Sequence, residues 1–307
     1  MNFYKQLFIF IAIALAFTAG YSPRYPLMAD EGLLVFGRVH DDPVRSIRDR
    51  QEFVDYIAKK LAPSGITGGR IMVVAKMHML TRALKDGKVD LFHDSVAPVM
   101  MFSRWAGSIP ILRQWKYGES DYEGVIVVKK DSGINTLSDL KGKVIAFEEA
   151  HSTSAHILPR MLLEENKLKL IEVKTPGTVR PDMVGYIHGS DGNSVNLLIT
   201  GRVDVATATT REVERLKPEV RENLKIIAKT RSVPRQVIAV RKDLDAKIVK
   251  SLKDVLVNMD KHAEGQGVLK RQQNTTKIDE IPPGSMEQLK YIERYVFSSL
   301  GKEVDSW

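Results

Sequence analysis

The 307 residues contain no cysteine. That excludes a disulfide framework, a thiol nucleophile and a lipid-anchoring cysteine after a leader. The short motifs that mark common catalytic machinery are also missing: there is no G-x-S-x-G elbow, no P-loop and no H-E-x-x-H. His151 and His156 are five residues apart, a spacing that does not put both on one helical face. These absences argue against an enzyme, and neither a cofactor nor a metal ion is expected. No long run of one charge occurs; Lys and Arg are scattered along the chain, so nucleic acid is not an expected partner.

One apolar run is present, at the start. Leu7 to Ala19 follows Lys5, and small residues lie at its end within Ala16 to Gly20. It is short for a bilayer span and fits a signal-peptide core, which makes residues 1–28 an expected leader; an uncleaved anchor is the alternative. The protein is then expected outside the cytoplasm, periplasmic or extracellular. The net charge is +8, and the leader carries Lys5 and Arg24 without any acid, so about +6 remains beyond it. A basic exported chain suits a small anionic solute as partner.

Beyond the leader, strand-like and helix-like patterns alternate. Leu33–Val39, Arg70–Ala75 and Val89–Ser95 read as strands; Ser46–Leu61 and Met79–Lys85 have helical spacing. A second unit starts near Tyr122, with strands at 123–132, 141–150, 169–173, 202–210 and 224–228 and helices at 152–165, 193–199 and from 211. Gln236–Leu244 reads as a strand returning to the first unit, followed by helices at Ile248–Met259 and Gln288–Leu300. The expected architecture is α/β, with two lobes each built on an open sheet flanked by helices. Residues 29–121 and 232–307 make the first lobe, and 122–231 are inserted as the second.

Three stretches offer chemistry. In Phe147 to Arg160 (FEEAHSTSAHILPR) a strand runs into a helix that opens on Ser152, Thr153 and Ser154. A helix N-terminus presents free N–H groups and partial positive charge, and three hydroxyls add donors, a combination suited to a tetrahedral oxyanion. Plain N-capping explains the same residues and outweighs that reading on this segment alone. In Asp86 to Ser95 a strand carries His93, Asp94 and Ser95 at its carboxyl end, where open α/β sheets bind ligands. Asp94 would repel a fully ionised anion but accept a P–OH proton or an amine; capping of the next helix is an equal alternative. In the third stretch, Ser190 and Asp191 sit at a helix start, and Thr209 with Thr210 at a strand end, where a β-branched strand is the simpler reading. Trp105, Trp115, Tyr117 and Tyr122 fit core or hinge packing better than a cleft wall, and Arg38, Lys76 and Arg113 read first as surface charge.

The text GKVDLFHDS (Gly87 to Ser95), together with YEGVIVVKKDSGINTLSDLKGKVIAFEEAHSTSAHILPRMLL (Tyr122 to Leu163), resembles the phosphate/phosphite/phosphonate ABC-transporter substrate-binding proteins. GRVDVATAT and SVPRQVIAVRKDLD match more loosely. The resemblance implies a type II periplasmic binding fold with a ligand cleft between the lobes, a monomer, and a membrane permease as partner. It implies that Ser152, Thr153 and Ser154 hold the oxyanion, and that Asp191 faces the cleft. The chain departs from the family at Ala155, where glycine is frequent, at Thr209–Thr210 in place of an Asn-Asp pair, and at His93–Asp94–Ser95 in place of an aromatic. The expected activity is solute binding by hinge closure for an importer. The alternative is a membrane-tethered protein of the same fold that reports its ligand to a sensor kinase.

Overall fold

The computed structural model describes residues 32–173, 179–189, 193–301 and 304. The strands, in chain order, are β1 (Leu33–Val39), β2 (Gly68–Val74), β3 (Leu91–Asp94), β4 (Ile109–Lys116), β5 (Asp121–Tyr122), β6 (Gly124–Lys129) and β7 (Val144–Phe147), then β8 (Lys169–Glu172), β9 (Met183–His188), β10 (Val205–Thr209), β11 (Leu224–Lys229), β12 (Val233–Pro234), β13 (Gln236–Val240) and β14 (Thr275–Asp279). They form two six-stranded sheets, ordered β14-β4-β13-β3-β1-β2 and β11-β6-β10-β7-β9-β8, and a two-stranded ribbon β12-β5.

The apolar runs of the sequence set the middle of each sheet. Every residue of β7, β10 and β13 is buried, as are the first five of β6. Strands covered by helices on both faces need such unbroken apolar runs. Each sheet accordingly has a hydrophobic cluster on either face. One of the first sheet's clusters also takes in Tyr122, Ile157, Leu158 and Met161, so the two lobes share apolar contact beneath the cleft.

In the first sheet β1 is parallel to β2 and β3, and β13 runs antiparallel to β3 and β4. The carboxyl ends of β1, β3 and β4 and the amino end of β13 therefore lie along one edge. At the crossings Val233 pairs with Tyr122 and Pro234 with Asp121. The backbone of Gly124 is bonded to Thr230 from both sides, through Gly124 N–H to Thr230 Oγ1 and Thr230 N–H to Gly124 O, each 2.9 Å.

Two sequence expectations changed form. The helix expected over Ser46–Leu61 is two helices, Pro43–Arg48 and Gln51–Lys60, broken at Asp49–Arg50, where the Arg50 side chain turns inward and is buried. The helix expected from Ser152 is continuous to Glu165 but opens with a wide π turn over Thr153–Ile157. Pro159 explains the widening. It has no N–H to give the carbonyl four residues back, Ala155. That carbonyl accepts instead from the Thr207 hydroxyl at 2.5 Å and from Glu148 N–H at 3.2 Å.

Candidate functional site: a cleft between the lobes

A cleft of about 660 Å³ opens between the sheets. Its second-lobe wall holds Ser152, Thr153 and Ser154, with Glu148, Glu149 and His151 just ahead of them and Thr209 and Glu212 beside them. The first-lobe wall holds Arg38, Asp94, Ser95 and Lys116, with Arg235 and Gln236 arriving from the crossing.

The hydroxyl trio is held rigidly. Ser152 Oγ accepts from Ala155 N–H at 3.3 Å and is the N-cap. Thr153 and Ser154 are buried. Thr153 Oγ1 accepts from Ala97 N–H at 2.8 Å and donates to Ser95 Oγ at 3.0 Å. Ala97 lies in the first turn of the helix Val96–Ala106, so two helix N-termini, one from each lobe, meet at Thr153. Opposed N-termini concentrate positive potential and free donors at one point. The Tyr122 hydroxyl joins them through hydrogen bonds with Ser154 and Thr153; burial raises its pKa, so it stays a donor.

The loop leading into the trio is pinned from behind. His156 Nδ1 contacts the Ala150 carbonyl at 2.5 Å and His188 Nδ1 the Glu148 carbonyl at 2.8 Å. Burial pushes the His156 pKa down to about 3, so a neutral ring with its proton on Nδ1 donates to that carbonyl. Ser194 Oγ donates to Thr207 O at 2.6 Å, tying the helix Ser194–Ile199 to the same support. Gly124 sits directly under the turn: a Cβ there would lie 2.0 Å from Ser154 O.

The expected site residues divide three ways. Ser152, Thr153, Ser154, Asp94, Ser95 and Thr209 all line the cleft. Asp94 Oδ2 accepts from Arg38 Nη1 at 3.1 Å and Oδ1 from Ser95 N–H at 2.7 Å. Thr209 caps the short helix after β10 in a capping box with Glu212. His93 lies inside the lobe instead, fully buried, its Nδ1 2.7 Å from Gln236 Oε1 and its Nε2 3.1 Å from Gln272 Nε2. Burial holds its pKa well below the usual histidine range, which fixes a neutral tautomer bridging two amides. Ser190 and Asp191 fall outside the described residues.

Of the other candidates, Arg38 and Tyr122 line the cleft; Lys76 does not, although Ala75 and Met77 on either side of it do. Arg113 is taken up by Asp279 at 2.9 Å and Asp121. Lys116 and Arg235 were not singled out in the sequence. Lys116 ends β4, a strand whose apolar and polar residues follow no clear alternation. Arg235 follows Pro234 at the crossing and lays its guanidinium 4.5 Å from the Tyr122 ring centroid. The Val-Pro-Arg run was the available signal.

A sequence model of the family described as "ABC transporter, phosphonate, periplasmic substrate-binding protein" matches residues 38–283. The phosphonates-binding periplasmic protein of Escherichia coli K12 is 28% identical over 203 residues, 62% of this chain and 56% of that protein, so the chain matches little more than half of that relative. Among solved structures, XAC2383 from Xanthomonas citri, bound to chloride ion, superposes with a TM-score of 0.81 at 26% identity, covering 87% of this chain and 98% of that one. A second structure of the same protein is bound to ATP, at 24% identity. The fold is also shared with PhnD1 from Prochlorococcus marinus in complex with methylphosphonate, at a TM-score of 0.64 and 18% identity over 86% of this chain and 98% of that one. Among the described residues no helix is long and apolar enough to cross a membrane. The extent of the sequence match, together with the shared two-sheet architecture, leads to one conclusion: this chain belongs to the family of periplasmic substrate-binding proteins of phosphonate ABC transporters.

Proposed function

We propose that this protein is exported, binds a small phosphorus oxyanion (phosphate, phosphite or a phosphonate) in the cleft, and delivers it to a membrane permease. The observation that carries this is the meeting of two helix N-termini at Thr153. Ser152, Thr153 and Ser154 would surround three oxygens of a tetrahedral anion, the Thr153 hydroxyl turning its proton from Ser95 to the anion on binding, with Tyr122 adding a fourth hydroxyl. Charge-assisted hydrogen bonds of this kind contribute about 1.5–3 kcal/mol each. Arg38 neutralises Asp94 on the opposite wall, which removes the repulsion that Asp94 alone would exert. Contacts drawn from both lobes favour the closed form, which is the form a permease would recognise.

The test is a thermal-shift panel on the purified protein with phosphate, phosphite, methylphosphonate, 2-aminoethylphosphonate, sulfate and amino acids. A ligand specific to the folded state raises the midpoint by mass action. A phosphorus oxyanion is expected to give the largest shift. A larger shift with sulfate or an amino acid, or none with any phosphorus compound, would reject the proposal.

A further inference from the structure

The cleft is lined by four basic side chains, Arg38, Arg45, Lys116 and Arg235, and five carboxylates, and two of the cations, Lys116 and Arg235, stand away from the hydroxyl trio. Moving along the edge of the first sheet from β1 to β4, the residues met are Arg38, Asp94, Arg235 with Gln236, and Lys116. Asp94 stands beside Thr153 through its neighbour Ser95. Val237 is paired with Asp94 across β13 and β3, and Gln236 with Gln114 across β13 and β4. Arg235 is therefore about one strand spacing, and Lys116 about two, from the end of β3, or roughly 5 and 10 Å.

The acids that face the ligand space are largely engaged. Asp94 is paired with Arg38 and Glu149 with His151, Glu212 accepts from Thr209 N–H, and Asp41 is fully exposed to solvent. Glu148 also has a partner. The cations are not matched in the same way. Lys116 has no carboxylate within ion-pair distance among the described residues; its ammonium lies only over the Tyr117 ring, 5.3 Å from the centroid. Arg235 is nine-tenths buried, and its contact with Glu119 is a long 3.5 Å that Glu119 shares with Arg211 at 3.6 Å. Its Nη1 has no hydrogen-bond acceptor. A buried guanidinium N–H without an acceptor, next to a lysine without a counter-ion, is costly unless a ligand supplies the missing oxygens.

From this geometry we propose, resting on the reading above, that the ligand carries a second anionic group, a carboxylate or a further phosphate, held by Lys116 and Arg235 while the hydroxyl trio holds the first. Burial and the nearby charges of Arg235 and Arg38 hold the Lys116 pKa down to about 8, as expected for a cation placed to await an anion. The preferred solutes are then phosphonates or phosphate esters with an acidic tail rather than an amine tail.

Isothermal titration of the purified protein with methylphosphonate, 2-aminoethylphosphonate, 3-phosphonopropionate and pyrophosphate tests this. At least one of the two-anion compounds should bind roughly tenfold or more tightly than methylphosphonate, equivalent to about 1.4 kcal/mol. Which of the two wins tells carboxylate from phosphate. Lys116→Gln should abolish that advantage, weakening the two-anion compound roughly tenfold or more beyond its effect on methylphosphonate, and Lys116→Arg should restore much of it. Because Lys116→Gln removes a half-buried cation without a partner, a melting midpoint at or above that of the unaltered protein should accompany the loss. Tightest binding of 2-aminoethylphosphonate, or an equal loss of methylphosphonate affinity in Lys116→Gln, would overturn the second-anion assignment alone. Failure of these four compounds to bind would overturn this inference, and failure of phosphate and phosphite beside them would overturn the underlying reading as well.

Discussion

Gly124 touches no ligand in this account, yet its substitution by alanine should disable the cleft. Its φ lies outside the left-handed region, so alanine is compatible with the backbone and by itself would favour a strand by about 0.5–1 kcal/mol. The obstacle is spatial. The new Cβ would lie 2.0 Å from Ser154 O and 3.3 Å from Pro159 Cγ, whereas ordinary contact begins near 3.4 Å. The Ser154 carbonyl, part of the turn that carries the trio, must retreat by about 1.4 Å to restore that distance. Hydrogen bonds have a useful range of only about 2.7–3.2 Å, so a displacement of that size removes donors from an anion held between two walls. Losing two charge-assisted bonds at about 1.5–3 kcal/mol each lowers affinity by roughly 10²- to 10⁴-fold. The assay is calorimetric titration with methylphosphonate, with circular dichroism to verify the fold. Gly284→Ala, whose Cβ meets nothing within 4 Å, is the matched control and should bind normally. Unaltered affinity in Gly124→Ala would refute the claim that the trio works as a rigid, backbone-supported unit.

Three further expectations follow from the same geometry. Thr207→Val leaves the Ala155 carbonyl with only the longer bond from Glu148 N–H, and should lower stability by about 1–3 kcal/mol together with ligand affinity; urea denaturation and titration read the two effects. Stability should fall as pH drops from about 6.5 toward the folded-state values, because His156 (about 3) and His93 (well below the usual range) are held neutral when folded but take up protons when unfolded; melting midpoints across that window check this, and a flat profile would contradict it. Lys116 acts in a separate, alkaline window. Its pKa is lowered to about 8, so the unfolded chain holds the extra proton up to about 10.5, and stability should rise with pH across that interval, a slope that should disappear in Lys116→Met.

Local chemistry made some of this legible in the sequence. The hydroxyl trio could be located because capping is decided by a few adjacent residues. The central strands β6, β7 and β13 could be read because burial on both faces demands unbroken apolar runs. Other parts depend on pairing partners far along the chain. The helix Val96–Ala106 was implied only as the element that Asp94 could cap; its extent was not legible because it is apolar on nearly every side and carries Pro98, a residue tolerated in a first turn where its missing N–H costs nothing. The strand β4 contains Pro110 and no clean alternation, so nothing marked Lys116 as the residue that reaches the cleft. His93 had the right position at a strand end, but its side-chain direction was set by Gln236 and Gln272, more than 140 residues away. Arg38 and Asp94, 56 residues apart, became a pair only when β1 and β3 were aligned side by side.

The most direct test of the central claim is the affinity for methylphosphonate in the double variant Ser152→Ala/Thr153→Ala, measured by calorimetry beside the unaltered protein. Ser152 is an N-cap and Thr153 bridges to Ser95 and Ala97, so a stability loss of about 1–3 kcal/mol is expected without loss of the fold. If these hydroxyls hold the oxyanion, the folded double variant shows no measurable heat of binding at concentrations that saturate the unaltered protein. Full retention of affinity in that variant would mean that the anion is held elsewhere in the cleft.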